Sequence, residues 1–137
     1  MSDIEVLLRA AEAVRRNAHA PYSRFKVGAA IRSEDGRVHV GANVENASYP
    51  EGLCAEAAAI AAMIAAGARR IEAMAIVVDA AAPASPCGGC RQRIAEFAPP
   101  TTPIHLGTVG GSVRSVTLGE LLPLAFHMPP GSGDPPA

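Results

Sequence analysis

All three cysteines of this 137-residue chain fall in two short segments, Cys54-Ala55-Glu56 and Pro86-Cys87-Gly88-Gly89-Cys90. Each segment reads as the first turn of a helix. Three thiolates beside one glutamate are the donor set of a catalytic zinc site: three protein ligands, a fourth position open to water, and a carboxylate to move its protons. A structural zinc site is normally closed by a fourth protein ligand, and neither a C-x-x-H nor a second C-x-x-C occurs here. A fold that uses the thiols together must bring two distant helix starts to one spot. Their positive dipole ends would then stabilise the thiolates between them.

Two plainer readings of the thiols compete with this one. Cys87-x-x-Cys90 alone resembles a redox pair, but Pro86 lies on the wrong side and Cys54-Ala55-Glu56 would have no role. A structural zinc site would need one of His19, His39, His105 or His127, and none stands at ligand spacing. Composition narrows the rest. With 49% hydrophobic and 18% charged residues the chain is globular, and its length suits a single domain that buries roughly two-thirds of its unfolded surface. A formal net charge of −1 and no Lys/Arg run argue for a small-molecule substrate over a nucleic-acid groove. The first residues lack the zones of a secretory signal, and three cysteines cannot all pair, so a cytoplasmic setting is expected. No membrane association is expected, because the longest apolar run, Ala57 to Ala66, is too short for a span of about 20 residues.

Along the chain, Ser2-x-x-Glu5 predicts a capping box opening a helix that ends near His19-Ala20, ahead of Pro21. Pro21-Tyr22-Ser23 reads as a turn and Phe25 to Ile31 as a strand. Glu34-Asp35-Gly36 supplies a hairpin to a strand beginning at Val38. That strand runs into Asn43-Val44-Glu45-Asn46, where alternation points Asn43 and Glu45 the same way. The helix over Ala57 to Ala66 has no polar face, so it must be covered all round. The many alanines permit close approach of another helix, and one side of this helix is expected to meet a partner subunit. Gly67 ends it, and Ile71 to Val78 reads as an internal strand. A helix through Arg91, Ile94 and Phe97 follows, then strands at Pro103 to Leu106 and Val113 to Val116. Thr117-x-x-Glu120 predicts a second capping box. The expected organisation is one domain over 1–128 and a flexible Pro/Gly-rich tail over 129–137, with the class α/β.

Cys54-x-Glu56 followed by Pro86-Cys87-x-x-Cys90 matches the general signature of zinc deaminases, in its all-cysteine form. Further blocks extend the likeness from Ala20 to Phe126: Pro21-Tyr22-Ser23-Arg24-Phe25-Lys26-Val27-Gly28, Asn43-Val44-Glu45-Asn46-Ala47-Ser48-Tyr49, and Leu121-Leu122-Pro123-Leu124-Ala125-Phe126. With these the chain resembles the small, homotetrameric, zinc-dependent cytidine deaminases. That resemblance implies a three-layer sandwich with a central mixed sheet of about five strands flanked by helices. It also implies hydrolytic deamination of cytidine and deoxycytidine to uridine and deoxyuridine in pyrimidine salvage, by zinc-bound hydroxide attack at C4.

By the same resemblance, Cys54, Cys87 and Cys90 would bind Zn2+ and Glu56 would shuttle protons. Asn43 and Glu45 would hold the ribose hydroxyls, Ala55 the base edge, and Phe25 would pack on the base. Phe126 would reach an active site across a subunit boundary, and Tyr49 would lie nearby. One departure stands out. Many members carry arginine directly after the glutamate, where this chain has Ala57, and Arg91 is expected to compensate the charge of the zinc thiolates. That departure and the Pro50-Glu51-Gly52 loop leave a related aminopyrimidine nucleoside or nucleoside antibiotic as an alternative substrate. A non-catalytic zinc-stabilised domain is the third reading, opposed by Glu56, which a structural site does not need.

Overall fold

The computed structural model describes residues 1–131. Of the expected tail over 129–137, residues 132–137 lie outside the described residues. The chain begins with α1 (Asp3–Arg15) and continues through β1 (Val27–Ser33), β2 (Val38–Ala42), a single 3-10 turn (Tyr49–Glu51) and α2 (Ala55–Ala65). It then runs through β3 (Ile71–Val78), α3 (Gly88–Phe97), β4 (Pro103–Thr108), β5 (Val113–Thr117) and α4 (Leu118–Leu121). The strands form one mixed five-stranded sheet ordered β2-β1-β3-β4-β5. Only β3 and β4 run parallel; the other pairings are antiparallel. The central place of β3 accounts for its near-continuous apolar sequence, since a strand covered on both faces has no polar side to present.

Alternation along the strands divides the core in two. Ala29, Ile31, Met74, Ile76, Ile104 and Leu106 face α2 and α3, whereas Ala30, Ala75 and Val77 meet Leu7 and Ala11 of α1 on the other face. This gives three layers, helix–sheet–helices, as expected. Two glycines bring the helices close to the sheet. A Cβ on Gly28 would collide with Ala11 O of α1, and one on Gly41 would lie 2.7 Å from Ala55 O and closer still to Ala59 N, both backbone atoms of α2. α2 therefore rests directly on the β2 backbone, which fixes the height of its first turn above the sheet.

Several boundaries differ from the sequence expectation. α1 stops at Arg15, because His19 leaves the helix to bridge Val44: its N–H donates to Asn43 O and its carbonyl accepts from Glu45 N–H. β1 starts at Val27 and not at Phe25, because the Asn43 side chain occupies the backbone groups there. At Ser2 only half the capping box forms, with Ser2 Oγ accepting from Glu5 N–H, whereas the Thr117–Glu120 box is complete. α2 is covered on one side only: Ala59, Ile60 and Met63 are buried, while Ala61 and Ala65 are exposed. Among the described residues, no helix is long and apolar enough to cross a membrane.

Candidate functional site

Cys54 is the N-cap residue of α2 and Cys87 that of α3, both with extended backbone, and Cys90 sits in the first turn of α3. N-capping geometry aims a side chain back over its own helix start. Because α2 and α3 begin side by side, the three side chains converge: the sulfurs all lie within 4.8 Å of one another. Tetrahedral zinc with Zn–S of about 2.3 Å needs sulfurs about 3.8 Å apart, so the cluster fits that ion after small adjustment. Among the described residues no histidine joins it. His39 Nε2 instead pairs with Ser33 Oγ at 2.8 Å and His105 Nδ1 with Ser115 Oγ at 2.7 Å.

The electrostatics of the cluster also call for a cation. Burial pushes the Cys54 and Cys90 thiols up and the neighbouring Glu56 carboxyl adds to this in both, although the hydrogen bond with Cys90 partly offsets the rise at Cys54. Cys87 is lowered, chiefly by the backbone N–H of Cys90 at the helix start. Glu56, in the first turn of α2, is only 5% exposed, and burial raises its carboxyl above the ordinary range. A dication among the thiols would offset the penalty on Cys54 and Cys90 and let all three ionise.

Cys54, Cys87 and Glu56 line a cavity of about 670 Å³, a size suited to a small organic ligand. It opens beyond the C-terminal end of β3, where Ile76 and Val78 contribute, and beside the start of β1. Phe25, Asn43, Glu45 and Ala55 all line it. Asn43 and Glu45 also build the opposite wall. Asn43 Oδ1 accepts from Val27 N–H at 2.8 Å, and its Nδ2 donates to Phe25 O at 2.9 Å. Glu45 Oε1 accepts from the backbone N–H groups of Tyr22 and Ser23, each at 3.0 Å, and its other oxygen accepts from the Ser23 hydroxyl. The Ser23 hydroxyl, its backbone N–H and that of Tyr22 hold the Glu45 carboxyl below the usual range. The two residues thus pin the loop that carries Phe25, which includes Arg24 in the left-handed region at φ 58°.

Two placements, those of Arg91 and Tyr22, depart from the sequence reading. The Arg91 guanidinium donates to Pro86 O at 2.8 Å and Leu121 O at 2.7 Å, tying the Cys87 loop to α4 and turning away from the sulfurs. The cation that reaches the cluster is Arg93, whose Nη1 is 3.5 Å from Cys90 Sγ. The reason is helical geometry: the residue after Cys90 lies about 100° round α3, whereas the residue three on shares its face. Phe126 does not line its own chain's cavity; it is 67% exposed, and its carbonyl accepts from Gln92 Nε2. Tyr22, read from sequence only as part of a turn, stands at the cavity wall with its ring edge-on to Tyr49, centroids 6.2 Å apart. Its adjacency to Ser23 in a recognisable block was the available signal.

Comparison with known proteins points one way. The family model described as the cytidine and deoxycytidylate deaminase zinc-binding region matches residues 1–106. The chain is 45% identical over 124 residues to a cytidine deaminase of Halalkalibacterium halodurans, covering 90% of this chain and 94% of that one. A cytidine deaminase of Mycobacterium tuberculosis is 44% identical over 114 residues, covering 81% and 80%. Among solved structures, a cytidine deaminase from Burkholderia pseudomallei superposes with a TM-score of 0.87 at 46% identity, covering 92% of this chain and all of that one. The Mycobacterium tuberculosis enzyme superposes with a TM-score of 0.79 at 39% identity over 93% of this chain.

Proposed function

This chain belongs to the cytidine and deoxycytidylate deaminase family, and from that premise we propose that it hydrolyses cytidine and deoxycytidine to uridine and deoxyuridine, releasing ammonia. The observation that carries the proposal is the meeting of three thiols, of which Cys54 and Cys87 line a nucleoside-sized cavity together with the buried Glu56. Cys54, Cys87 and Cys90 would hold Zn2+, which supplies Lewis-acid activation of the attacking water. Glu56 would take one proton from that water and pass it to N3 of the pyrimidine, then take the second from the new C4 hydroxyl and pass it to the amine, which departs as ammonia. Its burial suits it to this exchange, since a carboxylate whose proton affinity is raised by burial takes up a proton more readily than a solvated one. Phe25, 40% exposed at the cavity, would face the base, and the α2 start at Ala55 would hold the base edge. Asn43 and Glu45 would receive the ribose hydroxyls.

The reading takes 1–128 as one domain and includes a homotetramer. It is supported by the uncovered Ala61 and Ala65 side of α2 and by Phe126, which points away from its own cavity and would complete a neighbour's. Three unpaired thiols suit a reducing cytoplasm. The test is ammonia release from cytidine by the zinc-loaded protein and by Glu56→Gln. Release by the first, and its loss in a variant that still holds zinc, is the expected result. A zinc-loaded protein inert toward both cytidine and deoxycytidine would overturn the substrate assignment.

A further inference from the structure

Three thiolates around a dication carry one net negative charge, and the Glu56 carboxyl stands beside them. A centre of that charge, with the Cys90 sulfur buried, calls for a compensating cation, or its thiolates donate so strongly that the metal loses acidity. On α2 nothing supplies it: the residue after Glu56 is Ala57, whose side chain is a methyl group. Arg91 is committed to two backbone carbonyls.

Building on the deaminase reading above, we propose that Arg93 is the positioning cation of the metal centre, reaching from α3 to the Cys90 sulfur and balancing the thiolate charge from outside the substrate cavity. Among the described residues it is the one cationic side chain hydrogen-bonded to a sulfur, with Nη1 at 3.5 Å from Cys90 Sγ. Its place is set by sequence: three residues after Cys90, it returns to the same face of α3. Arg93 and Ala57 line one groove between α2 and α3, so the guanidinium occupies the side that the small residue leaves open. That groove is separate from the cavity lined by Cys54, Glu56 and Cys87. Arg93 therefore acts through the sulfur and not on the substrate. Drawing electron density from Cys90 weakens its donation and leaves the metal the stronger Lewis acid.

The experiment compares the full-length protein with Arg93→Gln and Arg93→Lys. Zinc affinity is read at fixed pH by competition with a chromophoric chelator, the thiolate-to-metal charge-transfer band is read with Co2+ in place of zinc, and thermal unfolding is recorded on the metal-free forms. Arg93→Gln is expected to bind zinc about tenfold more weakly, a loss of about 1.4 kcal/mol. Its cobalt band should move to lower energy, because an uncompensated thiolate gives up an electron more readily. Arg93→Lys should recover most of both, and metal-free unfolding should match wild type in both variants. Unchanged affinity and band position in Arg93→Gln would overturn the assignment. So would equal losses in Lys and Gln variants with a matching drop in metal-free stability, which marks a packing role. A wild-type protein without any thiolate-to-cobalt band would overturn the deaminase reading itself, and this inference with it.

Discussion

Replacing Gly41 with alanine tests how the site is held in place. The added Cβ would sit 2.7 Å from Ala55 O and Ala58 C, and nearer to Ala59 N. These are backbone atoms of α2, so no rotamer change relieves the clash. Ordinary contact starts at 3.4 Å, and the helix must therefore withdraw from β2 by about 0.7 Å or more. Overpacking of this kind costs about 1–3 kcal/mol, and about 2 kcal/mol in a chain of this size lowers Tm by roughly 6–10 °C. The functional consequence is larger than the loss of stability suggests. Cys54 and Glu56 ride on the displaced turn, while Cys87 and Cys90 stay with α3, and zinc sites tolerate only about 0.2 Å in ligand distance. Gly41→Ala should therefore lose zinc and ammonia release together, measured by metal content, denaturant unfolding and a coupled ammonia assay. Gly36→Ala is the control: Gly36 has φ 82° with open space around it, so its variant loses about 1 kcal/mol of stability to backbone strain and keeps its zinc. If Gly41→Ala holds zinc and unfolds like wild type, direct seating of α2 on β2 is not what positions the site.

Other perturbations read different parts of the structure. Asn43→Ala removes the acceptor for Val27 N–H and the donor to Phe25 O, both part-buried; about 2–3 kcal/mol of stability should go with them. Because the Phe25 loop then loosens, KM for cytidine should rise more than kcat falls; a variant with wild-type stability and KM contradicts this. Burial holds His105 below its ordinary value of 6.5, so the unfolded chain binds the extra proton first. The contribution is intact above 6.5 and is lost as pH falls through that value, until the folded group itself titrates. Thermal unfolding from about pH 5 to 7.5 should show Tm rising with pH, and His105→Gln should flatten that rise; an unaltered slope in the variant removes His105 as its source.

What the sequence could and could not express follows from the range of the forces involved. The starts of α2 and α3, the stop at Gly67, the Thr117–Glu120 box and the internal character of β3 were all legible, because each depends on residues a turn apart or on hydrophobic period. The candidate metal ligands and Glu56 were legible for a related reason: a catalytic zinc site needs particular donor atoms, and few residue types carry them. The end of α1 was not, since helical periodicity competes there with a bridge from His19 to Val44 that only the folded chain brings together. Asn43 and Glu45 were expected as ligand-binding groups, and their further duty as anchors of the Phe25 loop depends on contacts across about twenty residues of chain.

By itself, then, the sequence determined the chemistry available to this protein: three thiols and a carboxylate on two helix starts, in a mixed α/β frame. Tertiary structure alone decided which cation serves that chemistry and which aromatic side chains attend it. Arg91 and Arg93 are equal in charge and only two residues apart, yet one turns to two carbonyls and the other to a sulfur. Phe25 and Phe126 both sit in matching blocks, yet only Phe25 lines this chain's cavity. Residue type sets what a group can do, but the direction in which a helix face or a loop points is fixed only when the layers pack.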